Sequence, residues 1–424
     1  MSETTATIPS LSLGTGHSIY KTTLLPAIQS AQHSVILITC FWSRSRTLDA
    51  LNETLLKLSS SALQRGDGKK ITVHIGFSSS SLFQKLFHTS SAAGQVYPPE
   101  VWTRKLGLLG EEDLGGLEVR VKSVFLWPFS VWHPKFVIID QTRVFLPSCN
   151  VSWEDWFEGC VEMRGPIVED FVKFWRQKWS GGEGELGGSA GDLSSVDEGI
   201  PVQGDAAVRL NDVPCKFLPS AHHRNPNFRL PWLQCAPPPA TTLNLELLRL
   251  FTDARKEIFL QTPNVTSPPV LNVLLDALKR GVDVRITTSE RLMILEQLVT
   301  AGTTTARCVR WLIKRHQRLS KRGPDEEAGL IKPGRLHISY YQPKVVTKSS
   351  ITGGAEPVQS HLKLAVVDRH AIVFGSGNMD RASWYTSQEL GVGFYSNELV
   401  AKTLEKLEAA LEGRRKLLYD SEGK

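Results

Sequence analysis

Cysteine is scarce in this 424-residue sequence, and its distribution excludes a disulfide framework and a zinc site. The six cysteines are Cys40, Cys149, Cys160, Cys215, Cys235 and Cys308. They are scattered along the chain without any Cys-x-x-Cys pair, as expected for reduced thiols in an intracellular protein.

Long apolar runs and a strong excess of one charge are absent as well. No stretch approaches the roughly 20 apolar residues that span a bilayer, which excludes a transmembrane enzyme. The first residues show no basic segment followed by an apolar one, so we expect an intracellular, cytoplasmic protein without a secretory signal. The net charge of +6 is too small to indicate nucleic-acid binding from bulk charge alone.

The sequence has the composition of a globular protein, and it contains an internal repeat. Hydrophobic residues make up 41% and charged residues 22% of the chain, as in folded domains. Segments 27–77 and 250–288 each show the pattern helix, strand, helix, strand, with short apolar runs that suit strands covered on both faces. We therefore predict two tandem α/β halves, at 15–180 and 205–415, joined by a flexible Gly- and Ser-rich linker at 181–204.

Each predicted half carries the same constellation of polar residues. In the first half these are His133, Lys135, Asp140, Ser148 and Asn150. In the second half, each 228 positions later, they are His361, Lys363, Asp368, Ser376 and Asn378. An offset kept over all five positions is not expected by chance, so the two sets indicate a duplicated functional motif.

The spacing within each set predicts a strand, a turn and a returning strand. Residues i and i+2 of a strand point to the same face, so His and Lys should emerge side by side. The aspartate should open the turn, and the returning strand should bring Ser and Asn beside the His/Lys pair. An acid–base group, a fixed cation and neutral hydrogen-bond donors suit phosphoryl transfer, whereas acyl transfer would not need two lysines.

This pattern resembles the phospholipase D superfamily, whose signature is a duplicated His-x-Lys-x4-Asp followed by Gly-Ser-x-Asn. The second copy matches this signature throughout, and the first differs at Pro147, where the family usually has Gly. The resemblance implies two phospholipase D-like αβα sandwich halves that form a pseudo-twofold bilobal enzyme with one shared active site.

The resemblance also implies roles for the motif residues. His133 would attack phosphorus and form a covalent phosphohistidine, and His361 would protonate the departing alcohol and then activate the incoming water or alcohol. The phosphoryl oxygens would be held by Lys135, Lys363, Asn150 and Asn378. We expect Asp140 and Asp368 to stabilise turns. No metal or cofactor is implied, because the lysines already supply fixed positive charge.

Each catalytic histidine of such an enzyme also needs a carboxylate on its other ring nitrogen. In similar enzymes this acid follows the opposite histidine by roughly 25–30 residues. Glu389, 28 residues after His361, is the candidate for orienting His133. For His361 two candidates remain, Glu158 and Glu162, of which the surrounding sequence favours Glu158.

Among the substrates that the superfamily handles, phospholipid is the leading prediction, with hydrolysis and transfer to an alcohol left open. A phospholipase D-family nuclease and a non-catalytic lipid-binding protein are the alternatives, and nucleic acid is less favoured because charge outside one segment is nearly balanced. That segment, 307–322, holds seven Lys or Arg residues and could contact an anionic membrane, as could the aromatic stretch 125–132. We expect the enzyme to work as a monomer.

Overall fold

The computed structural model describes seven stretches of the chain. These are residues 3–79, 94–126, 130–179, 208–223, 237–321, 332–344 and 356–423. The predicted linker at 181–204 lies outside the described residues.

Contacts within the chain divide it into two compact units. Unit 1 comprises Met1–Trp127, Pro134–Glu154 and Glu158–Cys215. Unit 2 comprises Pro128–His133, Asp155–Phe157 and Lys216–Lys424. Two short segments from the first half of the sequence, one of which ends at His133, therefore belong to unit 2.

The first half of the chain alternates strands and helices. Its strands are β1 (Thr4–Ile8), β2 (Leu11–Thr15), β3 (Ser34–Phe41), β4 (Ile71–Ser79), β5 (Gln95–Tyr97), β6 (Leu117–Ser123), β7 (Phe125–Leu126), β8 (Ser130–Val131), β9 (Phe136–Ile139), β10 (Arg143–Pro147) and β11 (Trp156–Arg164). Its helices are α1 (Gly16–Ile19), α2 (Leu25–Gln29), α3 (Arg46–Gln64), α4 (Pro99–Leu106) and α5 (Ile167–Trp179), with a π-helical turn at Tyr20–Leu24 and a 3₁₀ turn at Glu111–Leu114.

The second half repeats this alternation. Its strands are β12 (Leu210–Ser220), β13 (Glu257–Gln261), β14 (Asp283–Thr288), β15 (Leu336–Tyr341), β16 (Gln359–Ser360), β17 (Leu364–Val367), β18 (Ala371–Gly375), β19 (Glu389–Tyr395) and β20 (Arg415–Asp420). Its helices are α6 (Thr242–Asp253), α7 (Pro268–Lys279), α8 (Ile294–Ala301), α9 (Thr305–Lys321), α10 (Arg381–Tyr385) and α11 (Asn397–Leu411). Among the described residues, no helix combines the length and apolar composition needed to cross a bilayer.

The sheets of the two units share the order and direction of six strands but differ in one edge strand, β5 in unit 1 and β20 in unit 2. In unit 1 the strands are ordered β5-β6-β4-β3-β9-β10-β11, with β3, β4 and β6 parallel and β9 and β10 antiparallel to their neighbours. In unit 2 the order is β20-β15-β14-β13-β17-β18-β19, with β13, β14 and β15 parallel. The predicted α/β class and the predicted helix–strand alternation are thus confirmed.

Helix α3 shows why the covering helices form. Leu48, Leu51, Leu55 and Leu58 recur at helical spacing, and each is only 1% exposed. Burying each leucine contributes roughly 2 kcal/mol. The helix begins after Ser45, whose side chain accepts a hydrogen bond from the Leu48 amide at 3.2 Å. The leucine stripe packs into the core of unit 1 against the largely buried strands β3 and β4.

The aspartate of the first motif stabilises the turn between β9 and β10. Asp140 and Gln141 both have positive φ angles, 50° and 55°, a conformation that strains non-glycine residues. The Asp140 carboxylate accepts hydrogen bonds from three consecutive amides, those of Gln32 at 2.9 Å, His33 at 2.7 Å and Ser34 at 2.8 Å. These bonds attach the turn to the start of strand β3 and offset its strain.

The second motif repeats this arrangement between β17 and β18. Asp368 and Arg369 have φ angles of 53° and 54°. The Asp368 carboxylate accepts from the amides of Arg255 at 2.9 Å, Lys256 at 2.8 Å and Glu257 at 3.0 Å. In both units one carboxylate therefore holds the motif hairpin against the central strand of the sheet.

We predict that Asp140→Ala and Asp368→Ala each lower the free energy of unfolding by about 2–4 kcal/mol, because three amide donors lose a charged acceptor. Asp→Asn at the same positions should cost less, since asparagine keeps one carbonyl acceptor and tolerates positive φ. Chemical denaturation followed by circular dichroism measures both. Alanine variants as stable as wild type would contradict the turn-stabilising role.

Strand β4 carries a histidine with no polar partner. His74 is 3% exposed, and its ring lies 4.9 Å from the Trp175 ring and 5.7 Å from the Trp179 ring, measured between centroids. Within the described part of the chain, neither ring nitrogen has a hydrogen-bond partner. Burial, reinforced by the charge of Arg120, lowers the pKa of His74 to about 4.

This environment predicts a pH-dependent stability. Between about pH 4 and the unfolded-state pKa near 6.5, the unfolded chain binds a proton at His74 that the native protein does not, so stability falls as the pH decreases, by up to roughly 3 kcal/mol. His74→Leu should remove this part of the loss, whereas the exposed-site control His33→Leu should retain it. Denaturant midpoints at pH 7 and 4.5 test the prediction, and parallel profiles for wild type and His74→Leu would refute it.

Candidate active site

The histidine and lysine of each motif lie immediately before a strand. His133 and Lys135 precede β9, and His361 and Lys363 precede β17. The expectation that these residues lie within the strand is therefore wrong. The reason is that the amide of each histidine bonds to another segment: His133 N donates to the Gln388 carbonyl at 3.0 Å, and His361 N donates to the Phe157 carbonyl at 2.9 Å.

All four of these side chains are buried, although two of them are lysines, which are rarely buried. Lys135 is 0% exposed and Lys363 is 3% exposed, and the two histidines are 9% and 3% exposed. The Lys363 ammonium donates to the carbonyl of His361 at 2.6 Å. Burying a lysine is costly unless its nitrogen is hydrogen-bonded or paired with an opposite charge.

In unit 2, a buried glutamate orients His133. Its Nδ1 lies 2.8 Å from Oε2 of Glu389, the first residue of β19, which is 1% exposed. Ser376 Oγ donates to the same carboxylate oxygen at 2.5 Å. When Nδ1–H donates a hydrogen bond to this carboxylate, Nε2 of the neutral ring carries the lone pair, as a nucleophile or general base requires.

An aromatic side chain contacts the ring of His361. The Trp156 indole packs edge-on against its imidazole, with ring centroids 5.0 Å apart and planes inclined at 61°. Together with the amide bond to Phe157, this contact defines the position of the histidine within unit 2.

Strand register identifies which glutamate of unit 1 corresponds to Glu389. In unit 2, Gly375 of β18 faces Gly391 of β19. In unit 1, Pro147 of β10 occupies the place of Gly375 and faces Cys160 of β11. The proline thus preserves the register. Glu389 lies two residues before Gly391 in unit 2, and Glu158 lies two residues before Cys160 in unit 1.

The hydrogen bonds agree with this correspondence. Ser148 Oγ donates to the Glu158 carboxylate and accepts from the Gly159 amide at 2.9 Å. Ser376 Oγ likewise donates to Glu389, and it accepts from the Leu390 amide at 3.0 Å. The two motif serines thus hold equivalent carboxylates.

Glu162, the other candidate for orienting His361, forms ion pairs with two arginines. Its Oε1 pairs with Arg143 at 3.0 Å and with Arg164 at 3.1 Å, and its Oε2 accepts from Ser10 Oγ at 3.1 Å. The ion pair with Arg143 joins β11 to β10, so this carboxylate stabilises the sheet.

The first asparagine presents its amide group as a donor. Asn150 Oδ1 accepts from Thr39 Oγ1 at 3.2 Å and from the amides of Cys40 at 3.1 Å and Phe41 at 3.0 Å. Its Nδ2 is buried and has no hydrogen-bond partner among the described residues. A buried, unsatisfied N–H donor of this kind can bind a phosphoryl oxygen.

The second asparagine is oriented by a residue that sequence reasoning missed. Asn378 Nδ2 donates to Asp380 Oδ2 at 3.0 Å, and Asp380 is 8% exposed. Burial raises the pKa of the Asp380 carboxyl, and the nearby Glu389 raises it further. Asp380 also caps helix α10 by accepting from the Ser383 amide at 2.8 Å. An aspartate at the start of a predicted helix is a typical N-cap residue, and this pattern at Asp380 is the sequence signal that could have identified it.

Lys135 and Glu158 lie together in unit 1. Burial raises the pKa of the neighbouring Cys149 thiol, the Glu158 charge raises it further, and the Lys135 charge opposes the rise. A cation and a carboxylate therefore share one buried region of unit 1. Among the described residues, no group of three or more His, Cys, Asp or Glu side chains is arranged to hold a metal ion.

A comparison with known protein families matches the second half of the chain. Residues 247–411, which include the second motif and Glu389, match the family described as cardiolipin synthase, phospholipase D-like domain. No curated protein gives a significant match. The fold and site define a phospholipase D-like α/β protein.

One solved structure of this fold covers nearly the whole chain. Phosphatidylserine synthase from Haemophilus influenzae aligns with a TM-score of 0.59 at 13% identity, covering 97% of this chain and 89% of that one. The phospholipase D family member Nuc from Salmonella typhimurium aligns with a TM-score of 0.29 at 17% identity, covering 42% and 91% respectively. The second half of the chain is thus similar to a phospholipase D-like domain, and the whole chain shares the fold of the phosphatidylserine synthase.

Proposed function

We propose that this protein is a phospholipase D-type phosphodiesterase or phosphatidyltransferase that acts on phospholipids through a covalent phosphohistidine. The observation that carries the proposal is the 2.8 Å contact between His133 Nδ1 and Glu389, which directs a lone pair to Nε2. Support for a phospholipid substrate comes from the names of the relatives, a cardiolipin synthase-type domain and a phosphatidylserine synthase.

In the proposed reaction, His133 Nε2 attacks phosphorus as the bond from phosphorus to the head-group oxygen breaks. His361 gives its proton to the departing alcohol, so the products of this step are the free alcohol and a phosphatidyl-histidine. His361 then takes a proton from water or a second alcohol, whose oxygen attacks phosphorus and releases His133. Dividing one displacement into two steps lowers the barrier of each.

The remaining motif residues would stabilise the charge that spreads over the phosphoryl oxygens. Lys135 and Lys363 supply fixed cations, and Asn150 supplies the unsatisfied buried N–H donor. Groups held in place before the reaction need no reorganisation when the charge develops. We further propose that Glu158 orients His361, by its correspondence with Glu389.

We predict that the purified protein converts mixed phospholipids to phosphatidic acid in water and to a phosphatidylalcohol when ethanol or glycerol is added. His133→Ala and His361→Ala should each lower turnover by at least about 10³-fold, because neither covalent step proceeds without its histidine. Mass spectrometry of lipid products provides the measurement. Cleavage of single-stranded DNA without lipid products would assign the protein to the nucleases instead.

Trapping the intermediate distinguishes the two histidines. His361→Ala should accumulate a phosphoprotein modified at His133, whereas His133→Ala should accumulate none. The reverse result would exchange the roles of the histidines and leave the reaction type unchanged.

The two glutamates of β11 should behave differently on substitution. Glu158→Gln should lower kcat about 10–100-fold with little change in KM or stability, as expected for a residue that orients a catalytic group. The matched variant Glu162→Gln should lower the melting temperature, because two arginines lose a partner, yet retain kcat per folded molecule. Equal loss of kcat in both variants would contradict the assignment of Glu158.

A further inference from the structure

Helix α8 of unit 2 has an inverted distribution of side chains. Gln297 and Ala301 face inward, with exposed fractions of 4% and 7%. Its large apolar side chains instead face outward: the exposed fractions are 40% for Ile294, 79% for Leu295, 39% for Leu298 and 61% for Val299. A surface helix normally buries such residues, so this contiguous apolar face indicates a binding surface.

A buried polar network holds α8 in this orientation. Gln297 Nε2 donates to Asn264 Oδ1 at 2.9 Å and to the Leu292 carbonyl at 2.6 Å. Gln297 Oε1 accepts from the amide of Thr305 at 2.6 Å and from its hydroxyl at 2.9 Å. Turning the leucines inward would break all four bonds, so the outward apolar face belongs to the folded state.

The next helix adds positive charge. Thr305, which binds Gln297, is the first residue of α9, so the same network joins the two helices. The exposed basic residues of α9 are Arg307, Arg310, Lys314, Arg315, Arg318 and Lys321. The sequence contains no acidic residue from 297 to 321, and the acids nearest before it are Glu290 and Glu296.

We propose that the α8–α9 surface, residues 294–321, docks on a bilayer that contains anionic phospholipid. The apolar side chains of α8 would enter the interface between head groups and acyl chains, and the basic residues of α9 would contact the anionic head groups. A second copy of this chain would bring like charges against α9, and a nucleic acid would leave the apolar face of α8 uncovered. The bilayer satisfies both features at once.

The docking surface is attached to the candidate active site. Arg381 donates from its guanidinium to the Thr300 carbonyl of α8 at 3.2 Å and from its amide to Thr266 Oγ1 at 3.2 Å. Arg381 follows Asn378 by three residues. Docking would therefore bring the segment that carries Asn378 and Asp380 close to lipid, and only this consequence rests on the proposed function.

Two aromatic residues of the stretch 125–132 do not contribute to the surface. Phe125 and Trp132 are buried, with exposed fractions of 4% and 1%, and residues 127–129 lie outside the described residues. Arg322, the last residue of the basic segment, also lies outside them.

The test compares matched pairs of exposed apolar residues. Leu295→Asp/Val299→Asp should reduce flotation with vesicles of one third phosphatidylglycerol and two thirds phosphatidylcholine by at least tenfold. The control Leu56→Asp/Leu63→Asp changes residues of α3 that are 44% and 62% exposed and should leave flotation unchanged. Circular dichroism establishes that both variants are folded. Equal binding by the two double variants would overturn the proposal, as would a wild-type protein that does not float.

The basic helix gives a second, independent measurement. Arg310→Gln/Lys314→Gln/Arg318→Gln should weaken binding to the anionic vesicles about tenfold or more at low ionic strength and much less in high salt. Binding to single-stranded DNA that is lost in this variant, without any vesicle binding by wild type, would assign the surface to nucleic acid and overturn the proposal. A dimer in light scattering that Leu295→Asp dissociates would identify a second copy as the occupant.

Activity separates this inference from the proposed function. Leu295→Asp/Val299→Asp should retain turnover of a short-chain phospholipid dissolved as monomers and lose turnover of the same head group in vesicles. His133→Ala should bind vesicles like wild type. Vesicle binding without turnover of either substrate would refute the proposed function and leave the docking surface intact.

Discussion

A carboxylate that is almost completely removed from water holds the histidine on which the proposed chemistry depends. Glu389 accepts hydrogen bonds from the Ser376 hydroxyl and from His133 Nδ1, and such bonds stabilise a carboxylate in a region that would otherwise disfavour its charge. The same contact selects the tautomer of His133. If the glutamate were absent, the imidazole could rotate and its two nitrogens would no longer be distinguished.

The two motif copies share a framework but differ in detail. Both aspartates hold strained turns through three amide bonds, and both serines hold a glutamate. The copies differ in their asparagines. Asn150 leaves its Nδ2 donor unsatisfied, whereas Asn378 gives its donor to Asp380. The two copies of the motif thus share one scaffold but present their asparagines differently.

The surface beside Asn378 also fits the expected substrate class. Gln297 occupies an inward position that an amphipathic helix normally gives to leucine, and the leucines of α8 are displaced outward as a result. Exposed apolar residues are unfavourable in water, so the arrangement is compatible with function at a lipid interface. Arg381 links α8 to the segment that carries Asn378 and Asp380, all within unit 2.

The sequence alone determined the α/β class, the duplication and the identity of the motif residues, because a constant offset and an apolar periodicity are visible in the sequence without knowledge of the fold. Even the turn role of the aspartates could be expected, since hairpins need residues that tolerate positive φ. That His133 and His361 precede their strands could not be predicted from the sequence, because this location depends on amide bonds to residues distant in sequence.

The choice of glutamate likewise required the tertiary structure. Glu389 lies 13 residues after its serine and Glu158 lies 10 after its own, since α10 lengthens the connection in unit 2. Counting along the chain therefore cannot equate the two carboxylates, whereas the pairing of β10 with β11 and of β18 with β19 does. The outward face of α8 was decided in the same way, by Gln297 bonding to partners that no local pattern reveals.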